Sequence, residues 1–468
     1  MRSPGPSSPR HRGQARRPSS PSSTAGVMSV HLSSSHYRRW SAFLTPAFGR
    51  DSFCSPDIDS PARPGRYSSE ACDMDIKAIQ GALKEKGIDG WLLYDFHNRD
   101  HLAYRILDMD FEKMTSRRWF YFIPAEGEPV RLCHRVEPKK LESLPGRLVY
   151  YHPWVELHSK LREILGEPKS IAMQYSPLCN IPYTSIVDGG TIELIRSFGH
   201  EVVSSADLVQ LFEAIIDEKG YQSHLKACDI IQKIKDEAFA KIGDAMKNGD
   251  RLTEYDVAKY ILDRFDEEGI DPGHDIPIVG INDHPANPHF EPKKEGSYEF
   301  KKGDMVLIDL WGRLKEPGSI YYDITWCGYI GGDPPKKYVE IFETVRDARI
   351  AAVDFVRKAF AEGRPVYGWE VDDACRNVVK ERGYGDYFIH RTGHSIGEEV
   401  HGNGVNIDNL ETKDERQLVP GICFSIEPGI YLEGEMAARS EIDCFITLDG
   451  EVVVAGEEQM ELVMIEAG

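Results

Sequence analysis

Met305-Val306-Leu307-Ile308-Asp309-Leu310 reads as an apolar strand that nevertheless carries a carboxylate. Burying such a charge unpaired costs several kcal/mol, so the run predicts a partner facing Asp309. The pattern repeats in Tyr322-Asp323-Ile324-Thr325. If the two runs pair as antiparallel strands, side-chain alternation allows both carboxylates on one face. They would then repel unless something cationic lay between them. Taken alone, Asp309 fits equally well a strand-end aspartate paired with a local lysine or a backbone donor.

Three further stretches of the last third share this character. Glu427 lies in Phe424-Ser425-Ile426-Glu427-Pro428-Gly429, and Glu441 in Arg439-Ser440-Glu441-Ile442-Asp443. His394 lies in His390-Arg391-Thr392-Gly393-His394-Ser395-Ile396-Gly397, with His401 soon after. Singly, each has a bland reading: a turn-entry glutamate, an exposed ion pair worth little, a histidine in a glycine turn. Jointly, four strand carboxylates and one glycine-flanked imidazole point to a metal site. Oxygen-rich ligation with one imidazole suits Mn²⁺, Co²⁺ or Zn²⁺ better than it suits a thiolate zinc site.

The rest of the chain bounds this reading. A length of 468 residues implies two domains plus whatever cannot fold. The net charge of -20 argues against nucleic-acid and anionic-membrane partners. No apolar run approaches the length of a bilayer span. The nine cysteines are odd in number and never spaced C-x-x-C, as expected of reduced thiols in a cytoplasmic protein.

Residues 1–73 form an Arg/Ser/Pro-rich extension holding ten arginines and no lysine against five acids, a net of +5. Its low hydrophobicity predicts disorder. A transit segment or an upstream start codon ahead of a native start at Met74 would account for it, and the lack of an amphipathic helix favours the second. From residue 74 to 218, helical and strand-like segments alternate. Helices are expected at 76–86, 156–165, 184–197 and 206–216, and strands at 91–94, 119–123, 130–133 and 148–151. That alternation implies an α/β domain over a mixed sheet. It ends at the polar, glycine-marked break Glu218-Lys219-Gly220. Residues 219–468 then give helices at 221–247, 254–268, 338–361 and 369–382 and a strand-rich tail from Cys423, with turns at Pro428-Gly429 and Asp449-Gly450.

Together these residues resemble the pita-bread metallopeptidases, the group of methionine aminopeptidase, Xaa-Pro aminopeptidase and Xaa-Pro dipeptidase (prolidase). The family pattern of two strand aspartates, a Gly-His-x-Ile-Gly histidine, a Ser/Thr-Ile-Glu-Pro-Gly glutamate and an Arg-x-Glu glutamate is met in order at Asp309, Asp323, His394, Glu427 and Glu441. The resemblance spans residues 75–468, because the segment before Glu218 is similar to the N-terminal domain of the proline-specific branch and of creatinase. It implies an α/β N-terminal domain followed by an α+β pita-bread (creatinase/aminopeptidase) catalytic domain.

It also implies two divalent ions, with Mn²⁺ expected and Co²⁺ or Zn²⁺ as alternatives. Asp309 would hold one, Asp323 and Glu441 both, and His394 and Glu427 the other, with a bridging water as nucleophile. Glu427 would shuttle the proton. His289 and His401 would act catalytically on the substrate side, with His284 the competitor of His289, and Arg439 would touch substrate or support a ligand. The expected activity is an aminopeptidase releasing the residue before proline, and prolidase is the nearest alternative. A metal-free creatinase-type hydrolase and a non-catalytic binding protein are further ones. A homodimer is the family expectation.

Three features depart from the family pattern. Asp309 and Asp323 lie fourteen residues apart, a longer spacing than usual, which predicts an enlarged loop at Leu314–Ser319. Ile442 separates Glu441 from Asp443, and Ser395 stands where glycine is common.

Overall fold

The computed structural model describes residues 75–467; the extension 1–73, with Cys54 and Cys72, lies outside them. The first half holds helices α1 (Ile76–Glu85), α2 (His101–Ile106), α3 (Trp154–Leu165), α4 (Gly189–Ser197) and α5 (Ala206–Val209). Its strands are β1 (Gly90–Asp95), β2 (Trp119–Pro124), β3 (Val130–His134), β4 (Arg147–Tyr151), β5 (Ser170–Met173) and β6 (Glu201–Ser204). They form one mixed sheet in the order β4-β3-β2-β1-β5-β6. Leu92, Tyr94, Phe120 and Phe122 pack in one cluster and Trp91, Leu93, Trp119 and Tyr121 in another, the period-two burial of a sheet covered on both faces.

Glu218-Lys219-Gly220 is the first turn of a helix. Asp217 caps it, accepting the Gly220 N–H at 2.8 Å, and α6 runs over Glu218–Asn248. α7 (Glu254–Glu268) follows, opened by a capping box between Thr253 and Asp256. Later come α8 (Lys336–Ala361) and α9 (Gly368–Glu381). The accompanying strands are β7 (Ile270–Asp271), β8 (Ile278–Ile281), β9 (Met305–Leu314), β10 (Tyr322–Ile330), β11 (Ser395–Ile396), β12 (Cys423–Ile426), β13 (Gly429–Leu432), β14 (Met436–Arg439), β15 (Ile442–Ile446), β16 (Val452–Val454) and β17 (Val463–Ile465). One sheet is ordered β17-β10-β9-β7 with β8 also on β9; a second is β11-β12-β15-β16; β13 and β14 form a hairpin.

Alternation within these strands places the site. On β9 and β10, Val306, Ile308, Leu310, Tyr322, Ile324 and Trp326 pack into a core with α6 and α7. The residues between them, Asp309, Asp323 and Thr325, must therefore face the other way. On β12 and β15, Phe424, Ile426, Ile442 and Cys444 join the core under α8 and α9. Ser425 and Asp443, a directly opposed pair, share the opposite face. The two inward faces meet, since Asp443 accepts the Asp323 N–H at 2.8 Å and Thr325 donates to Glu441 at 2.7 Å.

Arg105 on α2 pairs with Glu213 (2.8 Å) within the first half and reaches out of it to Glu399 (2.7 Å), which lies two residues before His401. No helix of the described residues is long and apolar enough to cross a membrane, and the cysteines among them are free thiols.

Candidate metal centre and active site

β9 and β10 pair with Asp309 opposite Thr325 and Asp323 opposite Trp311. This is the antiparallel arrangement that sets both aspartates on one face. Ligand atoms of Asp323, His394 and Glu441 lie within 4.8 Å of one another, and all three residues are buried. His394 Nε2 is 3.8 Å from Asp323 Oδ2 and 3.5 Å from Glu427 Oε1. All eight residues singled out in the sequence, Asp309, Asp323, His394, Glu427, Glu441, His289, His401 and Arg439, line one cavity of about 430 Å³. His284 does not. Its Nδ1 contacts both Glu254 oxygens at 2.9 Å and its ring stacks on Tyr298, so the half-buried imidazole is occupied inside the fold.

The electrostatics of this cluster favour a bound cation. Burial raises the Asp323 carboxyl well above the usual range, and Glu441, Asp309, Asp443 and Glu427 push the same way. Glu441 is raised well above its range by burial and then by Glu427 and Asp309. Burial lifts Glu427 against the opposing charges of Arg439 and Arg391. Asp309 Oδ1 and Asp323 Oδ1 are buried without a hydrogen-bond partner. Burial, then His401 and Arg391, keep His394 well below its usual pKa, hence neutral. Its Nδ1 faces the Ser395 carbonyl at 3.2 Å, which leaves the Nε2 lone pair aimed at the carboxylates. A neutral imidazole held in that tautomer among unpartnered carboxylates is a donor set suited to divalent ions.

Arg439 supplies the one buried positive charge beside this set. It pairs with Asp309 and donates to Thr325 Oγ1 (2.9 Å) and to the Tyr431 hydroxyl (3.1 Å). The Tyr431 hydroxyl also meets His390 Nε2 at 2.7 Å. Gly429 opens β13, and a Cβ there would lie 2.3 Å from that hydroxyl; close approach, more than a turn, is its requirement.

Two of the departures have local causes. Ser395 accepts the Gly404 N–H at 2.9 Å, pinning the loop that bears His401. Asp443 holds the Asp323 backbone. The connection between the two aspartate-bearing strands is 315–321, with Leu314 itself the last residue of β9.

Other cavity residues went unassigned in the sequence. Tyr183 comes from the first half of the chain, and Arg391 stacks over its ring (5.5 Å) and bonds its hydroxyl. Trp311 and Phe290 add apolar wall. Of the residues that hold Arg439, Thr325 has a visible signal, standing two residues after Asp323 and so on its face, and Tyr431 has none; nor have Tyr183 and Arg391 of the cavity.

Gly393 carries a sharp constraint, because a Cβ there would lie 1.9 Å from the Ser425 carbonyl oxygen. Gly393→Ala is expected to lower stability by about 3 kcal/mol or more, since backbone has to move. Thermal melting with activity measured in parallel checks this, and a variant that melts like the parent would refute the contact.

Residues 222–448 match the model of metallopeptidase family M24. The chain is 31% identical over 394 residues to the probable dipeptidase PepE of Mycobacterium tuberculosis, covering 83% of this chain and 96% of that protein. Among solved structures it is similar to dipeptidase PepE of Mycobacterium ulcerans, with a TM-score of 0.61, 24% identity, and 86% of this chain and 100% of that one covered. It is similar also to the prolidase of Thermococcus sibiricus, with a TM-score of 0.55, 24% identity and coverage of 83% and 98%.

Proposed function

The chain belongs to metallopeptidase family M24, with its pita-bread fold, and from that premise we propose that it falls in the proline-specific branch and is a two-metal dipeptidase hydrolysing Xaa-Pro dipeptides. Asp309, Asp323, His394, Glu427 and Glu441 would hold the ions, Mn²⁺ in the first instance. When bound, such ions lower the pKa of water and polarise a carbonyl, so that hydrolysis proceeds near neutral pH. Glu427, its pKa raised by burial, accepts the proton of the attacking water and passes it to the leaving imide nitrogen. His289 and His401 hydrogen-bond the substrate from the open side of the cavity. Arg439 serves as a positioning residue: protein partners occupy its Nε and both terminal nitrogens, and its pairing orients Asp309.

The observation that carries the choice of dipeptidase is Arg391. Its charge acts on Glu427, His394 and His401, it lines the cavity, and Tyr183 steadies it. A guanidinium lining the cavity beside these groups suits the C-terminal carboxylate of a two-residue substrate. The second reading is an Xaa-Pro aminopeptidase, favoured by the exposed His289 and His401, which leave room for a longer peptide.

The test is to strip the full chain with a chelator, restore Mn²⁺, Co²⁺ or Zn²⁺, and offer Xaa-Pro dipeptides beside Xaa-Pro tripeptides and longer peptides. Activity is expected to vanish on stripping, return with metal, and favour the dipeptides. Preference for the longer peptides would select the aminopeptidase, and cleavage of neither would sink both.

A further inference from the structure

Beyond the catalytic cavity the same strand faces carry another buried donor set. The first turns of α6 deliver His224, and the inward face shared by β12 and β15 delivers Cys423 and Asp443. The imidazole, the thiol sulphur and a carboxylate oxygen lie within 4.8 Å of one another, and the three residues are 0%, 1% and 0% exposed.

Their hydrogen bonding is incomplete in a directional way. His224 Nδ1 is 2.7 Å from the Tyr321 carbonyl oxygen, which can only accept, so the proton sits on Nδ1. Nε2 then carries a lone pair, is buried, and has no hydrogen-bond partner. It points towards Asp443 Oδ2 at 3.9 Å, an oxygen that already accepts the Asp323 N–H. Asp443 Oδ1 likewise has no partner. A lone pair, a carboxylate and a thiol buried side by side are unfavourable unless a proton or a cation lies among them, and a cation serves all three donors at once. The arrangement repeats that of His394, whose Nδ1 also faces a backbone carbonyl while Nε2 points at a carboxylate.

We propose that His224, Cys423 and Asp443 bind a third divalent cation, of the zinc class, separate from the pair in the catalytic cavity. One imidazole, one thiolate and one carboxylate select a borderline ion over the harder Mn²⁺. Through the bond from Asp443 to the Asp323 backbone, this ion would brace the strand that carries a catalytic ligand. The inference stands on its own donors and does not depend on which peptide is cleaved.

The full chain, stripped by a chelator under reducing conditions, is titrated with Co²⁺ while the thiolate-to-Co²⁺ charge-transfer absorption in the near ultraviolet is followed. The catalytic donors are carboxylates and an imidazole and give no such band. Wild type is expected to take up three ions, one of them with the band. Cys423→Ala should bind two ions without it, and Asp323→Asn should keep it. Uptake of Co²⁺ by wild type with no thiolate band would overturn the proposal, leaving His224 and Asp443 a simple contact pair. A band that survives in Cys423→Ala would overturn it too, pointing to a different thiol such as Cys228, one turn along α6 from His224. Should Cys423→Ala fail to fold, the wild-type titration decides alone, with His224→Gln as the second variant.

Discussion

Asp323→Asn is expected to abolish peptidase activity, by roughly 10³-fold or more, since under the proposed function Asp323 would be a ligand to both ions and its loss would remove several kcal/mol of transition-state stabilisation. Its effect on the metal-free fold should run the other way. Asp323 has a buried, unpartnered Oδ1, and Glu441, Asp309, Asp443 and Glu427 all act against its charge. A neutral amide relieves that repulsion, so the stripped variant should melt above stripped wild type, a trade of stability for function. Added Mn²⁺ should raise the melting temperature of wild type more than that of the variant, because ligands stabilise a fold by the affinity they have for it. Melting curves of both proteins, stripped and loaded, make the comparison. If the stripped variant melts lower than stripped wild type, the clustered carboxylates do not strain the metal-free fold.

Arg391→Ala is expected to raise KM for Xaa-Pro dipeptides by roughly 10- to 100-fold with kcat changed much less, the size of about 1.5–3 kcal/mol for hydrogen bonds to a charged group. The contrast that isolates the carboxylate is a dipeptide amide. Wild type should handle the amide about as poorly as the variant handles the acid, and the variant should scarcely distinguish the two. Arg391→Lys should recover part of the loss, since it restores a point charge without the planar fork. Equal damage to acid and amide, or a fall in kcat alone, would remove Arg391 from substrate recognition and return the choice to the aminopeptidase reading.

A carboxylate inside apolar strand text is anomalous in one dimension, so Asp309, Asp323 and Glu427 stand out in the sequence as candidates, and the structure places them around one cavity. The long amphipathic helices α6 to α9 lie within a few residues of their expected bounds. What stayed hidden is three-dimensional. Tyr431 and His390 are ordinary residues until Tyr431 folds back over Gly429 and joins His390 to Arg439. The occupied position of His284, the competitor of His289, has the same origin, because its partner Glu254 lies thirty residues upstream. Short elements such as α2, β5 and β6 are too brief for periodicity to register. The break expected at Glu218-Lys219-Gly220 became a helix start because the capping residue, Asp217, stands just before the stretch.

The opposed faces of β9 and β10 bear on how this gene tolerates changes in length. Inserting or deleting one residue inside either strand would exchange the two faces beyond that point, sending an aspartate into the α6/α7 core and an isoleucine or leucine into the cavity. The connection 315–321 carries no such parity rule, because β9 and β10 are held in register by their own ladder. Variation in length between relatives is therefore expected to gather there, inside the fourteen-residue interval between Asp309 and Asp323.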